Sequence, residues 1–177
     1  RGVLLTFAVF LCACGETEKT STSTDNVQLL PYQFIMPDLD RQRIIRLYLP
    51  PSYQNSDKRF PVIYMHDGQN LFDDMTAFAG EWGVDESLNQ LAAKEGFEVI
   101  VIGIDNAAKF RMNELSPWEN KRFGEAQGKQ YMNFIVEVVK PYIDTNFRTK
   151  ADRLHTAIMG SSMGGLMSHF GVHAYPD

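Results

Sequence analysis

The stretch AIMGSSMGGLMSHF, Ala157–Phe170, decides the fold. It begins inside the apolar run LHTAIMG, which predicts a buried strand over Leu154–Met159, and it ends in a pattern that predicts a helix starting just after Ser162. Between the two stands GSSMG, Gly160–Gly164, with G-x-S-x-G spacing and a further glycine at Gly165. A serine between a buried strand and a helix sits in a sharp, strained turn, where a side chain two positions away on either side would strike the neighbouring strand or helix. The helix that begins there points its free N–H groups and its dipole at any negative charge forming beside Ser162. Such a turn presents a hydroxyl as a nucleophile. The plainer alternative is a small-residue turn in which Ser161 or Ser162 only caps the helix.

Upstream, FPVIYMHDGQN carries a short apolar strand, Val62–Met65, and EVIVIGIDN a second, Glu98–Ile104, both of the kind buried on two faces. Between them VDESLNQLAAKEG, Val84–Gly96, places Leu88, Leu91 and Ala92 on one face and closes on glycine, so it reads as an amphipathic helix with a C-cap. KQYMNFIVEVVKPYIDTNF sets Tyr131, Phe134, Ile135, Val138, Val139 and Ile143 at helical spacing, with Pro141 expected to kink or end the last turn. Nearer the start, Gln33–Met36 and Arg43–Leu49 alternate partly around a turn at PDLD, which predicts an antiparallel hairpin with one wet face. Strands alternating with helices imply a mostly parallel sheet covered on both faces, preceded by that hairpin.

With 177 residues, 44% of them hydrophobic, the chain can bury one sizeable core. Its 17 basic and 22 acidic residues give a net charge of −5, and there is no basic stripe to release counterions from phosphate, so nucleic acid is not expected as a partner. Arg1 precedes the apolar run Val3–Ala13, too short to span a bilayer but suited to the core of a signal peptide. The run ends in LCAC, Leu11–Cys14, and GETEKTSTSTDN follows with linker composition. This arrangement resembles the lipobox of bacterial lipoproteins. The resemblance implies a signal peptide over residues 1–14, lipidation of Cys14, a flexible polar linker over residues 15–30, and an envelope protein held to the membrane only by its lipid anchor. The alternatives are an ordinary secretory signal, or a Cys12/Cys14 pair that is only apolar filler. Cys12 and Cys14 are the only cysteines, so the rest of the chain has no disulfide or thiolate metal site.

TAIMGSSMGGLMSHFGVHAYPD, taken with RFPVIYMHDGQNLFD, EWGVDESLNQLA, RMNELSPW and KPYIDTNFRTKADR, resembles the esterase-D-like branch of the α/β-hydrolase superfamily. That branch includes enterochelin esterases, feruloyl and acetyl-xylan esterases, S-formylglutathione hydrolases and mycolyltransferases. The resemblance covers residues 31–177 and implies an α/β-hydrolase fold in which Ser162 is the acyl-accepting nucleophile. It also implies an oxyanion hole made by the main-chain N–H groups of Met163 and Gln69. Asp67, in the DG loop, matches a residue that contacts substrate hydroxyls in relatives, or else caps its turn. Trp82, a possible substrate contact whose plainer role is packing, and Asp85 match a W-x-x-D at the start of the first helix, while Arg111 and Glu114 match an R-x-x-E loop whose plainer role is an ion pair or turn anchor. Trp118 either lines an acyl pocket or covers core. His66 precedes the nucleophile, whereas the superfamily order is Ser, then Asp or Glu, then His, so it is not expected to be the base.

After Ser162 the titratable candidates are His169, His173 and Asp177. The two histidines fall about two and three turns into the helix, too far along its axis to serve Ser162. The acid and base are therefore expected beyond this sequence, which reads as a fragment, inactive by itself. No metal or cofactor is expected, since there is no phosphate loop, no H-E-x-x-H and no calcium-loop spacing. The leading expectation is a serine carboxyl-ester hydrolase acting on carbohydrate-linked or siderophore esters at the bacterial envelope. An acyltransferase to a sugar hydroxyl and a non-catalytic binding protein on the same fold stay open.

Overall fold

The structure, a computed structural model, describes residues 20–32 and 34–176. Five strands form the main sheet in the order β1-β4-β6-β5-β7: β1 (Val27–Leu29), β4 (Ile45–Tyr48), β6 (Ile100–Ile104), β5 (Val62–His66) and β7 (Thr156–Met159). β5 pairs in parallel with β6 and with β7, whereas β4 runs antiparallel to both β6 and β1. Four of the five strands therefore share one direction. A separate ladder joins β2 (Phe34–Met36) to β3 (Arg41–Arg43).

The period-two alternation of the central strands feeds two cores, one on each face of the sheet. Val62, Tyr64, Ile100, Ile102 and Ile104 point to the larger one, where they meet Tyr131, Phe134, Ile135, Val139, Ile143 and Met167 from the helices of that side. Met65, Val99 and Val101 point to the other, where they meet Leu71, Phe72 and Leu88. Helix α1 (Val84–Glu95) covers this second face and stops at Gly96, whose φ of 67° only glycine adopts easily and whose N–H closes on the Ala92 carbonyl.

The larger face is covered by α3 (Gly128–Phe134), a π-helical stretch (Ile135–Val139), α4 (Lys140–Asn146) and α5 (Met163–Ala174). Pro141 does not end the helix. It falls at the start of α4, directly after the π-helical stretch, where the i→i+4 ladder is already interrupted and a missing N–H donor costs little. Remaining elements are the short α2 (Arg111–Glu114) and several single turns.

Three sequence expectations need correction. The hairpin pairs Phe34–Met36 with Arg41–Arg43, not with residues 43–49. The chain turns again at Ile44, and Ile45–Tyr48 goes to the main sheet, because its Ile45 and Leu47 are buried against the larger core. Second, Val27–Leu29, inside the stretch expected as linker over residues 15–30, is a strand bonded to β4, so the folded body begins before residue 31. Thr24 and Asn26 bind it further, through Asp85 and the Leu49 carbonyl. Third, the strand expected over Leu154–Met159 is shorter, Thr156–Met159, and pairs with β5, while Arg153–His155 form a single turn before it. Cys12, Cys14 and Asp177 lie outside the described residues.

Candidate active site

β5 and β7 run in parallel with Met65 opposite Met159, so the segments that follow them leave the sheet at the same end. Open α/β sheets place their sites beyond the carboxyl ends of such strands. After β7 comes Gly160, and then Ser162 at the head of α5 with φ 54° and ψ −118°. A non-glycine residue held there stores strain of about 1–3 kcal/mol, which the surrounding packing must impose. That packing is visible at the glycines. A Cβ on Gly160 would lie 2.8 Å from the Gly164 carbonyl carbon and 2.8 Å from His66 Cδ2. A Cβ on Gly164 would lie 3.2 Å from His66 Cβ. The Ser162 side chain is exposed and makes no capping hydrogen bond, unlike the alternative in which it serves only the helix. Met163 is the first residue of α5, so its N–H falls among those with no partner inside the helix.

After β5 the chain turns sharply at Asp67 (φ 58°) into the single turn Gly68–Asn70, which carries Gln69. Gly68 is forced by close approach: a Cβ there would stand 2.6 Å from the carbonyl carbon of Gly103 and 2.7 Å from the Ile104 nitrogen in β6. The Gln69 side chain is used for positioning, since its Oε1 accepts the Asn106 N–H at 3.0 Å. Trp82 is tied to the same turn through its N–H, which the Asn70 carbonyl accepts at 2.9 Å, while its ring is 42% exposed.

Asp67 is 3% exposed and fully engaged. Arg111 Nε and Nη2 donate to its two oxygens at 2.6 and 2.7 Å, and Asn106 Nδ2 donates at 2.6 Å. Burial alone would raise the Asp67 carboxyl, but the Arg111 guanidinium and the Asn106 amide outweigh it and hold it below its ordinary value. Arg111 and Glu114 are indeed ion-paired, though not to each other. Glu114 instead receives Arg41 Nη1 at 2.8 Å and Arg43 Nη2 at 2.8 and 2.9 Å. Trp118 lies over α5, with its ring edge-on to Phe170 at 6.0 Å and 58% exposed, about two turns along the helix from Ser162. His169 and His173 are exposed on α5, seven and eleven residues past Ser162.

His66 is completely buried beneath the turn, with Nδ1 2.8 Å from the Tyr131 hydroxyl. Burial lowers its pKa to about 4, the nearby Asp67 and Arg111 adding smaller opposed effects, so it is neutral at pH 7. This packing fits a support for the turn better than a base. Its consequence for stability has a definite sign. The unfolded state takes up a proton near pH 6.5 and the folded state only near 4, so stability contributed by neutral His66 is complete above pH 6.5 and drains away as pH falls to about 4. We expect a loss of about 2 kcal/mol between pH 7 and 4.5, read from urea melts, and a flatter profile in His66→Gln. Equal slopes in the two proteins would remove His66 as the cause.

Asn106 was not singled out by sequence, where it shows only as the residue two places past an all-apolar strand, and Tyr131 was read only as part of the packed helix face, not as a partner for His66. Among the described residues, no helix is long and apolar enough to cross a membrane.

A family model described as "Putative esterase" matches residues 37–177. The chain belongs to this esterase family. It is 29% identical over 141 residues to the uncharacterized protein YbbA of Bacillus subtilis, covering 76% of this chain and 52% of that one. It is 26% identical over 132 residues to an endo-1,4-beta-xylanase/feruloyl esterase of Xylanibacter ruminicola, covering 71% of this chain and 17% of that protein. Among solved structures, the siderophore hydrolase EstA of Aspergillus nidulans superposes with a TM-score of 0.67 at 22% identity, over 85% of this chain and 54% of that one. The architecture is that of an α/β hydrolase. The esterase chain described here spans about half the length of YbbA and less of the xylanase/feruloyl esterase.

Proposed function

We propose that this esterase-family chain carries the nucleophile half of a serine carboxyl-ester hydrolase, with Ser162 attacking the ester carbonyl. The observation that carries the reading is Ser162 itself, an uncapped, exposed serine held at φ 54° where α5 begins. The carbonyl oxygen, turning into an oxyanion, would lie between the main-chain N–H groups of Met163 and Gln69, whose turns leave the same end of the sheet. The C–O bond of the ester breaks, the alcohol departs with the proton taken from Ser162, and water then releases the acid from the acyl-enzyme.

The proton relay requires an Asp or Glu and a His, in that order, after Ser162. We assign both to a part of the protein beyond residue 177, and for that reason expect the present chain alone to be inactive. The substrate class is carbohydrate-linked or siderophore esters. Feruloyl esterase and siderophore hydrolase among the similar proteins support it. The signal-like leader and the LCAC sequence support an envelope lipoprotein anchored at Cys14.

A fluorophosphonate probe tests the assignment in a longer form of the protein that hydrolyses p-nitrophenyl acetate. One adduct on the Ser162 peptide is expected, and the same mass spectrum of cell-derived protein should show acylated Cys14. Hydrolysis with no adduct on Ser162 would sink the serine assignment. Transfer of the acyl group to a sugar hydroxyl in preference to water would turn the reading to an acyltransferase.

A further inference from the structure

Away from Ser162, three carboxylates meet at the start of α1. Glu81, Asp85 and Glu86 each offer one oxygen, and these oxygens lie within 4.8 Å of one another. Glu81 Oε2, Asp85 Oδ1 and Glu86 Oε2 are all shut off from solvent, and none has a hydrogen-bond partner. Asp85 is 0% exposed. Its other oxygen is already used, accepting the Thr24 N–H at 2.8 Å and the Thr24 hydroxyl at 2.7 Å, which leaves Oδ1 buried without a partner. None of the ion pairs among the described residues involves any of the three.

The N-terminus of a helix favours one or two acidic side chains in its first turn, and Asp85 and Glu86 stand there. That effect acts through N–H groups. It leaves unexplained three carboxylate oxygens shut off from solvent without a partner, on side chains whose carboxylates come within 4.8 Å of one another, an arrangement that favours a shared positive charge.

We propose that Glu81, Asp85 and Glu86 form a binding site for one hard divalent cation, calcium. The donor set is all oxygen, without histidine or cysteine, which disfavours zinc and copper. Oxygens bound to one calcium ion at about 2.4 Å are at most about 4.8 Å apart, a limit that one oxygen from each of the three residues meets. Magnesium keeps more of its water and accepts three direct carboxylates less readily.

The cation joins three segments: the Thr24 strap through Asp85, the end of the loop that carries Glu81 and Trp82, and the first turn of α1. Through the Trp82 and Val84 N–H groups, bonded to the Asn70 and Leu71 carbonyls, it also braces the turn that holds Gln69. The proposal concerns binding and stability and stands or falls apart from ester hydrolysis.

The test uses the full chain stripped with chelator. Calcium at about a hundredfold over its Kd should raise Tm by about 5–10 °C. Terbium should bind in its place and luminesce on tryptophan excitation, since Trp82 adjoins Glu81, and calcium should quench the emission. Glu81→Gln/Glu86→Gln, which leaves the Thr24 bonds to Asp85 intact, should lose both responses; Glu81→Gln alone serves if the double variant does not fold. A Tm in the wild type that does not move with calcium overturns the proposal, as does an equal response in the variants.

Discussion

Ser162→Ala is expected to lower kcat on p-nitrophenyl acetate by a factor on the order of 10⁵ to 10⁶, with little change in KM, in a form of the protein that also carries the downstream acid and base. Removing Oγ removes the covalent route altogether, while the Met163 and Gln69 N–H groups would remain to stabilise attack by water, so a small residual rate above the uncatalysed one should persist. Alanine at position 162 must still adopt φ 54°, a region as costly for it as for serine, so stability should change by less than about 1 kcal/mol. That combination is the signature: activity gone, Tm unmoved. A variant retaining more than about a tenth of wild-type activity would mean that the ester is cleaved elsewhere.

Glu114→Ala should do the opposite, damaging the fold without touching the nucleophile. Glu114 is 1% exposed and neutralises two guanidinium groups, Arg43 at 5% and Arg41 at 21% side-chain exposure. Arg43 has no other carboxylate among its described hydrogen bonds, and its Nε is already buried without a partner. Removing the carboxylate leaves a buried cation uncompensated, a change that typically costs about 3–5 kcal/mol. For a chain of this length that lowers Tm by roughly 10 °C, measured by circular dichroism. Glu114→Gln should cost less, because an amide oxygen still accepts one Arg43 hydrogen bond. A loss below about 1 kcal/mol in Glu114→Ala would mean that water enters and screens Arg43.

Much of this was legible before any coordinates, and for a physical reason. Hydrophobic period is local, so the buried strands Val62–His66 and Ile100–Ile104 and the helix ending at Gly96 could be read from neighbouring residues alone. The strand-Gly-x-Ser-x-Gly-helix pattern was equally local, because it reports a steric need within five positions. What was misread depended on distant partners. Ile45–Tyr48 looked like half of a hairpin, yet it pairs with β1 and β6, the latter more than fifty positions downstream.

By itself, then, the sequence determined the fold class and the position of Ser162 in its turn, because each follows from the sterics and periodicity of short segments. Only the tertiary structure decided how the charges are shared out. It gave Asp67 to Arg111, gave Glu114 to two arginines of the hairpin, set His66 under the serine turn, and left three carboxylates facing one another at the head of α1. Charge pairing acts over a few ångströms in space with no regard to separation along the chain, so no pattern of spacing announces it.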